Sequence, residues 1–126
     1  MKSVISAAAI LIFIIILVTV SYFYTDSAVE NMLEILDKNE KFVAKYSWEQ
    51  AENEMKKLNE VWLKNREIFA LMANHSLTED IDKSLAKINY AVKMRKNDEF
   101  FLEIGVARLG IYSLSEQQKL SFSNIF

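Results

Sequence analysis

The sequence has no proline, no cysteine and only two glycines among its 126 residues. Proline and glycine are the residues that most often end helices and form turns, so their scarcity predicts long helices. Without cysteine the chain forms no disulfide and offers no thiolate to a metal, although this leaves its compartment open. We therefore expect an all-α protein.

The sequence also has no excess of positive charge. Lysine and arginine together number 15 and aspartate and glutamate 17, which gives a formal charge of −2. Lys2 is the only charged side chain in residues 1–25, so the rest of the chain carries a charge of 14 − 17 = −3. A mildly acidic domain is poorly suited to bind phosphate backbones, and we expect no nucleic-acid partner.

One long uncharged run occupies the N-terminus. Residues 4–24 would span about 31 Å as a helix, which matches the hydrocarbon core of a bilayer. Tyr22 and Tyr24 end the run, where an aromatic belt is expected. A cleaved signal peptide is the alternative, but it would have a shorter apolar core and small residues at its cleavage site. We favour an uncleaved anchor over residues 1–25, followed by a domain over residues 26–126.

The flanking charges predict the orientation of this anchor. Lys2 precedes the apolar run, whereas Asp26, Glu30 and Glu34 are the first charged residues after it. The positive-inside rule then places the N-terminus in the cytoplasm and the domain of residues 26–126 outside the cell membrane.

Residues 26–126 show the apolar spacing of about four antiparallel helices, joined by connections too short for other arrangements. The most regular segment is 47–75, in which Asn65 alone interrupts the stripe. We place three helices over residues 28–46, 47–75 and 76 onward, and a fourth from Asn97 or Asp98 to about Leu114. Capping boxes at Ser47 and Ser76 mark the start of the second and third helices. The stripe of the second helix is Trp48, Ala51, Met55, Leu58, Trp62, Phe69 and Met72.

The fourth helix is apolar on two sides. One face carries a regular stripe that begins at Phe100, and the opposite face carries three more aliphatic residues. Gly105 and Gly110 weaken a helix and make sense where another backbone approaches closely. After Ser115 we expect a short turn and a C-terminal docking tail. The predicted partner-binding surface consists of Phe101, Leu102, Val106, Leu109, Tyr112, Leu120, Phe122, Ile125 and Phe126.

His75 is the only histidine and the only starting point for a metal site. Glu79, Asp80 and Asp82 lie nearby, but this set lacks the usual zinc ligands. We instead expect His75 to hydrogen-bond the last carbonyls of a helix. The sequence offers no clear nucleophile–base set and no glycine-rich phosphate loop. We therefore expect no catalytic residues, no metal and no cofactor, and a protein that is not an enzyme.

One set of residues forms a known pattern: Trp48, Ala51, Leu58, Trp62, His75, Ser84, Leu85, and Leu120-Ser121 with Asn124-Ile125-Phe126. In these residues the chain resembles a bacterial family called domain of unknown function 4363. Two positions depart from the family pattern, which usually has Asp at the position of Asn74 and His-Ile-Pro at residues 113–115. The resemblance implies one membrane helix followed by a helical domain, without an assigned activity. Members are often encoded near small membrane proteins, some linked to sporulation, which implies a membrane complex.

Three functional hypotheses follow. The first is a non-catalytic scaffold that binds a membrane-protein partner, or a second copy of itself, through the fourth helix and the tail. The second is an extracytoplasmic sensor with a small molecule bound between the helices, in a cavity lined by Asn39 or Asn65. The third is a metal-dependent enzyme at His75, which the ligand set disfavours.

Overall fold

The computed structural model describes residues 1–125, with side chains as far as Asn124. These residues form the helices α1 (Lys2–Ala44), α2 (Trp48–Met72), α3 (His75–Lys93) and α4 (Asn97–Ile125), and none of them forms a strand. The predicted all-α fold, an apolar N-terminal helix followed by a helical bundle, is confirmed.

Helix α1 continues without a break from the apolar run into the bundle. Residues 1–17 are exposed, and we call this segment the stem. The most apolar 18-residue window of α1 has a mean hydropathy of 3.0 and is not buried at all. By length and composition α1 is the one candidate membrane-spanning helix among residues 1–125. A core helix of a soluble protein would hide such a surface, and this one does not.

The other half of α1 forms an antiparallel bundle with α2, α3 and α4. The connections are two or three residues long, and each helix packs against the next along the chain. Helix α4 returns to α1 and closes the bundle. We call the end with the 73–74 connection the stem end and the end with the 45–47 and 94–96 connections the far end. Both α2 and α4 therefore run from the far end to the stem end.

The core is built from one stripe on each helix. The predicted α2 stripe is buried at Ala51, Met55, Leu58, Trp62 and Phe69. At its two ends the stripe is only half-buried, because Trp48 and Met72 lie where the bundle opens. The two tryptophans are thus packing residues. The Trp62 ring stacks on Phe69 with centroids 5.9 Å apart, and Trp48 meets Phe100 edge-on at 6.5 Å.

The two far-end connections use the same backbone motif. Tyr46 and Arg95 have φ values of 59° and 55°, the left-handed conformation that usually selects glycine. The amide after each donates to a carbonyl five residues earlier, from Ser47 to Phe42 and from Lys96 to Ala91, both at 2.8 Å. These bonds satisfy helix-end carbonyls and account for tight turns in a chain with almost no glycine.

Helix α4 is longer than predicted. The expected end near Leu114 and the turn at Ser115 are wrong, because α4 continues to Ile125. Its buried stripe carries on past Ile111 through Leu114 to Gln118 with the same spacing of three and four. Residues 111–125 contain neither proline nor glycine, and a polar but buried Gln118 occupies the core position. The predicted docking tail is thus the last part of a helix.

Two predicted capping boxes also differ from the structure. Ser47 is the N-cap of α2 but its side chain makes no capping hydrogen bond. Helix α3 is capped by Asn74, whose side chain accepts a hydrogen bond from the Ser76 amide at 2.9 Å, so Ser76 is not the cap. Asn was equally suitable for this role, and the structure places the start of α3 one residue before Ser76.

Candidate functional site: the outer face of helix four

The predicted second face of α4 lies on the outside of the bundle. Leu102 is 67% exposed and Leu109 is 69% exposed, with Val106 between them also exposed. Phe101 and Tyr112 flank this row and are exposed as well. We call these five residues the α4 outer face. An apolar row of this kind, continuous over three turns, is more than the scattered exposed apolar residues of an ordinary surface.

The two glycines of α4 have different surroundings. A Cβ placed on Gly110 would lie 3.1 Å from Cγ1 of Ile81, so Gly110 permits close packing of α4 on α3. A Cβ on Gly105 would meet nothing within 4 Å. Gly105 lies three residues after Leu102 and four before Leu109, so it is on the same side of the helix. The α4 outer face therefore has a residue without a side chain at its centre. The atoms near Gly110 belong to a side chain and not, as predicted, to a backbone, and nothing described in the chain approaches Gly105.

The inner side fixes α4 firmly in the bundle. Phe100, Ile104 and Ile111 are fully buried. At the edge, Arg108 donates to Asp37 at 2.9 Å and pairs with Glu40 at 2.5 Å, both on α1. Burial alone would lower the pKa of Arg108, but its bonds to Glu40 and Asp37 outweigh that effect and raise the pKa. The α4 outer face is therefore held on a rigid support.

Of the four remaining members of the predicted surface, Leu120, Phe122 and Ile125 belong to the last turns of α4. Leu120 is exposed, as expected. Phe122 is half-buried, and its ring lies 4.4 Å from the ring of Tyr22 on α1. Phe122 therefore packs within the chain and is not part of a free surface. The Ile125 side chain and Phe126 lie outside the described residues.

A buried polar contact joins this part of α4 to α1. The Gln118 amide donates to the Tyr22 carbonyl at 3.0 Å and to the hydroxyl of Thr25. Thr25 donates in turn to the Ser21 carbonyl at 2.8 Å. Both Gln118 and Thr25 are buried, so the contact fixes the level at which α4 lies along α1.

Sequence analysis missed a polar link of the bundle, which joins α2 to α3 at Asp82. The Trp62 indole donates to Asp82 at 2.7 Å, and Arg66 donates through its Nε and a terminal nitrogen, the latter at 2.6 Å. The bond from Arg66 lowers the pKa of Asp82 below its usual value; partial burial opposes the shift and the Trp62 bond adds to it. The signal in the sequence was the spacing of Trp62 and Arg66, four apart on one helix face.

His75 does not play the predicted helix-ending role. It is the first residue of α3, and its exposed ring lies 3.2 Å from Glu79. Asp82 does not join His75 in a ligand set, because its carboxylate accepts hydrogen bonds from Arg66 and Trp62. Within residues 1–125, no group of three or more His, Cys, Asp or Glu side chains could hold a metal ion.

Asn39 and Asn65 are both buried in the bundle. Neither side-chain polar atom of Asn39 has a hydrogen-bond partner among the described residues. The side-chain nitrogen of Asn65 donates to the Val61 carbonyl at 2.8 Å, but the side-chain oxygen of Asn65 has no partner among these residues. An open groove of about 230 Å³ between α1 and α2 is lined in part by Asn65, Tyr24 and Lys64. Asn39 lines none of the grooves described at the surface.

Comparison with known proteins gives one match. Residues 19–125 match the family described as domain of unknown function (DUF4363). The chain belongs to this family. The match covers the bundle and the last part of the apolar run. It begins at residue 19 of α1, close to where the ends of α2 and α4 lie beside α1. No curated protein and no solved structure matches the chain.

Proposed function

We propose that this DUF4363 protein is a single-pass membrane protein whose extracytoplasmic bundle is a non-catalytic interaction module. Its contact site is the α4 outer face, and its partner is an apolar helix of another membrane protein or of a second copy of the chain. The observation that carries this proposal is the exposed row Leu102, Val106 and Leu109 on a helix whose inner side is already fully packed.

Several observations support an uncleaved anchor. From Val4 onward the stem is uncharged and exposed, and such a surface is more stable in lipid than in water. Cleavage after Ala28 would remove Tyr22 and Thr25, to which Gln118 is bonded, and would open this end of the bundle core to water. The orientation rests on Lys2 on one side and on the acidic residues that follow the stem on the other.

Gly105 supports a helix as the partner. Glycine weakens a helix by about 1 kcal/mol relative to alanine, and Gly105 allows no closer packing within the chain. Small residues at a helix surface let a second helix approach closely, with larger apolar side chains packing on both sides. Leu102 and Leu109, one turn before and after Gly105, provide those side chains.

The test is the size of the complex formed by the full chain, extracted from its native membrane with a mild detergent. The proposal predicts that the wild-type chain migrates as a complex larger than one copy in its micelle. The double variant Leu102→Glu/Leu109→Glu should migrate as a single copy, and Leu63→Glu, an equally exposed leucine on α2, should leave the complex intact. A single copy for the wild-type chain, or equal sizes for all three proteins, would contradict the proposal.

The groove beside Asn65 favours a second candidate, an extracytoplasmic sensor. Its lining combines Tyr24, Ser27, Asn31 and Lys64, which provide hydroxyl, amide and ammonium groups for a small polar ligand. A ligand there should protect Val61→Cys, at an apolar position of the lining, from alkylation in the presence of cell extract fractions of low molecular mass. Unchanged alkylation rates with every fraction would remove this candidate.

A further inference from the structure

The level of the stem end along α1 is fixed by several independent contacts. Gln118 of α4 bonds to Tyr22 and Thr25, and the Ser121 hydroxyl donates to the Met72 carbonyl at 2.8 Å. An apolar crevice of about 270 Å³ lies between α1 and the end of α2, lined by Leu17, Val18, Ser21, Ile68, Leu71, Met72 and Ser121. The ends of α2 and α4 therefore lie beside residues 17–25 of α1.

This level overlaps the run that the sequence assigns to the membrane. Residues 17–24 cover about 10 Å of α1, and all of them belong to the uncharged stretch 4–24. A bilayer whose hydrocarbon reached Tyr24 would thus contain the last turns of α2 and α4. The stem end and the proposed membrane span occupy the same layer.

Charged side chains limit how deep this layer can lie. His75 and Glu79 at the start of α3 and Glu116 and Lys119 on α4 are exposed near the stem end. Burying such groups in hydrocarbon is costly, although a lysine close to the boundary can extend its ammonium group toward water. The stem end can therefore lie in the boundary between headgroups and acyl chains, but not in the membrane centre.

The apolar side chains at the stem end are unusually exposed. Leu71 is 87% exposed in the last turn of α2, and Leu120 is 63% exposed in α4. Phe23 and Tyr24 of α1 are exposed as well, and Tyr24 lies farther along α1, beside Lys64 and Asn65 of α2. The two leucines thus lie in the layer where aliphatic residues enter a bilayer, and Tyr24 lies at its outer edge, where aromatic residues are common.

From this geometry we infer that the stem end of the bundle is seated in the bilayer interface, and that a lipid acyl chain fills the crevice beside Leu71. The occupant is lipid because the crevice wall is continuous with the stem: Leu17, the last residue of the stem, lines the crevice together with Val18. The hydrocarbon core then ends near residue 20, and residues 4–20 span about 25 Å, at the short end of the range for one helix. This inference rests on the membrane span proposed above.

Site-specific fluorescence in vesicles tests the inference. The chain has no cysteine, so single variants can be labelled without background. The full chain is reconstituted in phosphatidylcholine–phosphatidylglycerol vesicles with a polarity-sensitive fluorophore at Leu71→Cys, Leu120→Cys, Leu63→Cys or Ile10→Cys. Leu63 is the matched control for Leu71, since it is an exposed leucine on the same helix, eight residues or about 12 Å farther from the stem end.

The inference predicts that nitroxide lipids labelled near the top of the acyl chain quench positions 10, 71 and 120 several times more than position 63. Aqueous iodide should show the reverse order, and at position 71 the acyl-chain nitroxide should quench more than a headgroup nitroxide. Lipid quenching at position 10 with iodide access at 71 and 120 equal to that at 63 would overturn the inference and leave the span intact. Absence of lipid quenching at position 10 would overturn the span itself.

Discussion

Helices α2 and α4 share a direction and a packing role but differ on their outer sides. Both run from the far end to the stem end, and each buries one continuous stripe in the core. The exposed side of α2 is mostly charged, with Glu52, Lys56, Glu60 and Lys64 four residues apart, and its two exposed leucines, Leu63 and Leu71, are separated by eight residues. The exposed side of α4 carries the row Leu102, Val106 and Leu109 at the corresponding distance from the far end.

The difference between the outer sides of α2 and α4 shows which apolar residues the fold of the single chain requires. The charged side of α2 shows that a bundle helix needs only its inner stripe to be apolar. The inner stripe of α4 is as complete as that of α2, so its outer leucines add nothing to the packing of the single chain. Burial in a complex would remove these side chains from water, which lowers the free energy. We therefore propose a contact site there.

The largest expected effect distinguishes the two sides of α4. Phe100→Ala should lower the free energy of unfolding by about 3–5 kcal/mol, because a fully buried ring leaves a cavity. Leu102→Ala, on the outer side, should change it by less than about 0.5 kcal/mol. Urea unfolding of the full chain in micelles, followed by far-UV circular dichroism, measures both. A comparable loss for Leu102→Ala would mean that the outer row supports the single chain and would remove the contrast with α2.

A smaller effect is expected on α2, where the core boundary contains a polar link. Trp62→Phe should keep most of the packing against Phe69 but remove the indole bond to Asp82, and stability should fall by about 1 kcal/mol. Trp48→Phe is the matched control, since the Trp48 ring is half-buried and its contact with Phe100 is a ring contact. Equal losses in the two variants would show that ring size, and not the bond to Asp82, matters at Trp62.

The glycines of α4 allow a test in which one variant gains stability. Gly105→Ala should raise the free energy of unfolding of the single chain by up to about 1 kcal/mol, since the new Cβ meets nothing. Gly110→Ala should gain less, because its Cβ would press on Ile81. Thermal unfolding in micelles compares them. In native membranes Gly105→Ala should also weaken the complex, and a complex of unchanged stability would argue against close helix approach at Gly105.

The smallest expected effect is a dependence of stability on pH from the α2–α3 link. The pKa of Asp82 is lower in the folded chain than in the unfolded chain, so its stabilising effect is present above the unfolded pKa and is lost as the pH falls through the folded pKa. Asp82 is partly exposed, and screening by solvent keeps the effect small. Asp82→Asn should flatten the acid side of a plot of unfolding midpoint against pH, and a parallel shift of the whole curve would contradict this assignment.

The apolar spacing predicted most of the architecture. The α2 stripe, the short connections and the unbroken charge-free run in α1 are local patterns, and each fixes which side of a helix turns inward. The end of α4 could not be read in the same way, because the core position at Gln118 is polar. Its burial depends on Thr25 and Tyr22, which lie more than 90 residues away in the chain.

The candidate site was predictable only in part. The exposed row of α4 followed from a helix with two apolar sides, but the inward packing of Phe122 on Tyr22 depends on how far α4 extends. Asp82 was grouped with His75 because the two are close in sequence, whereas its partners Trp62 and Arg66 come from the preceding helix. The spacing of Trp62 and Arg66 places both side chains on one face of α2, but it does not indicate that Asp82 of the next helix is their partner.

Thiol crosslinking in native membranes tests the central claim most directly. Ser113 is exposed on the same side of α4 as Leu109, and Glu60 is exposed on the charged side of α2, so each can carry a single cysteine without removing an apolar contact. With a short bifunctional reagent, Ser113→Cys should give a discrete crosslinked product that disappears when Leu109→Glu is added, and Glu60→Cys should give none. The same products from both positions, or a Ser113→Cys product that persists with Leu109→Glu, would contradict a contact site on the α4 outer face.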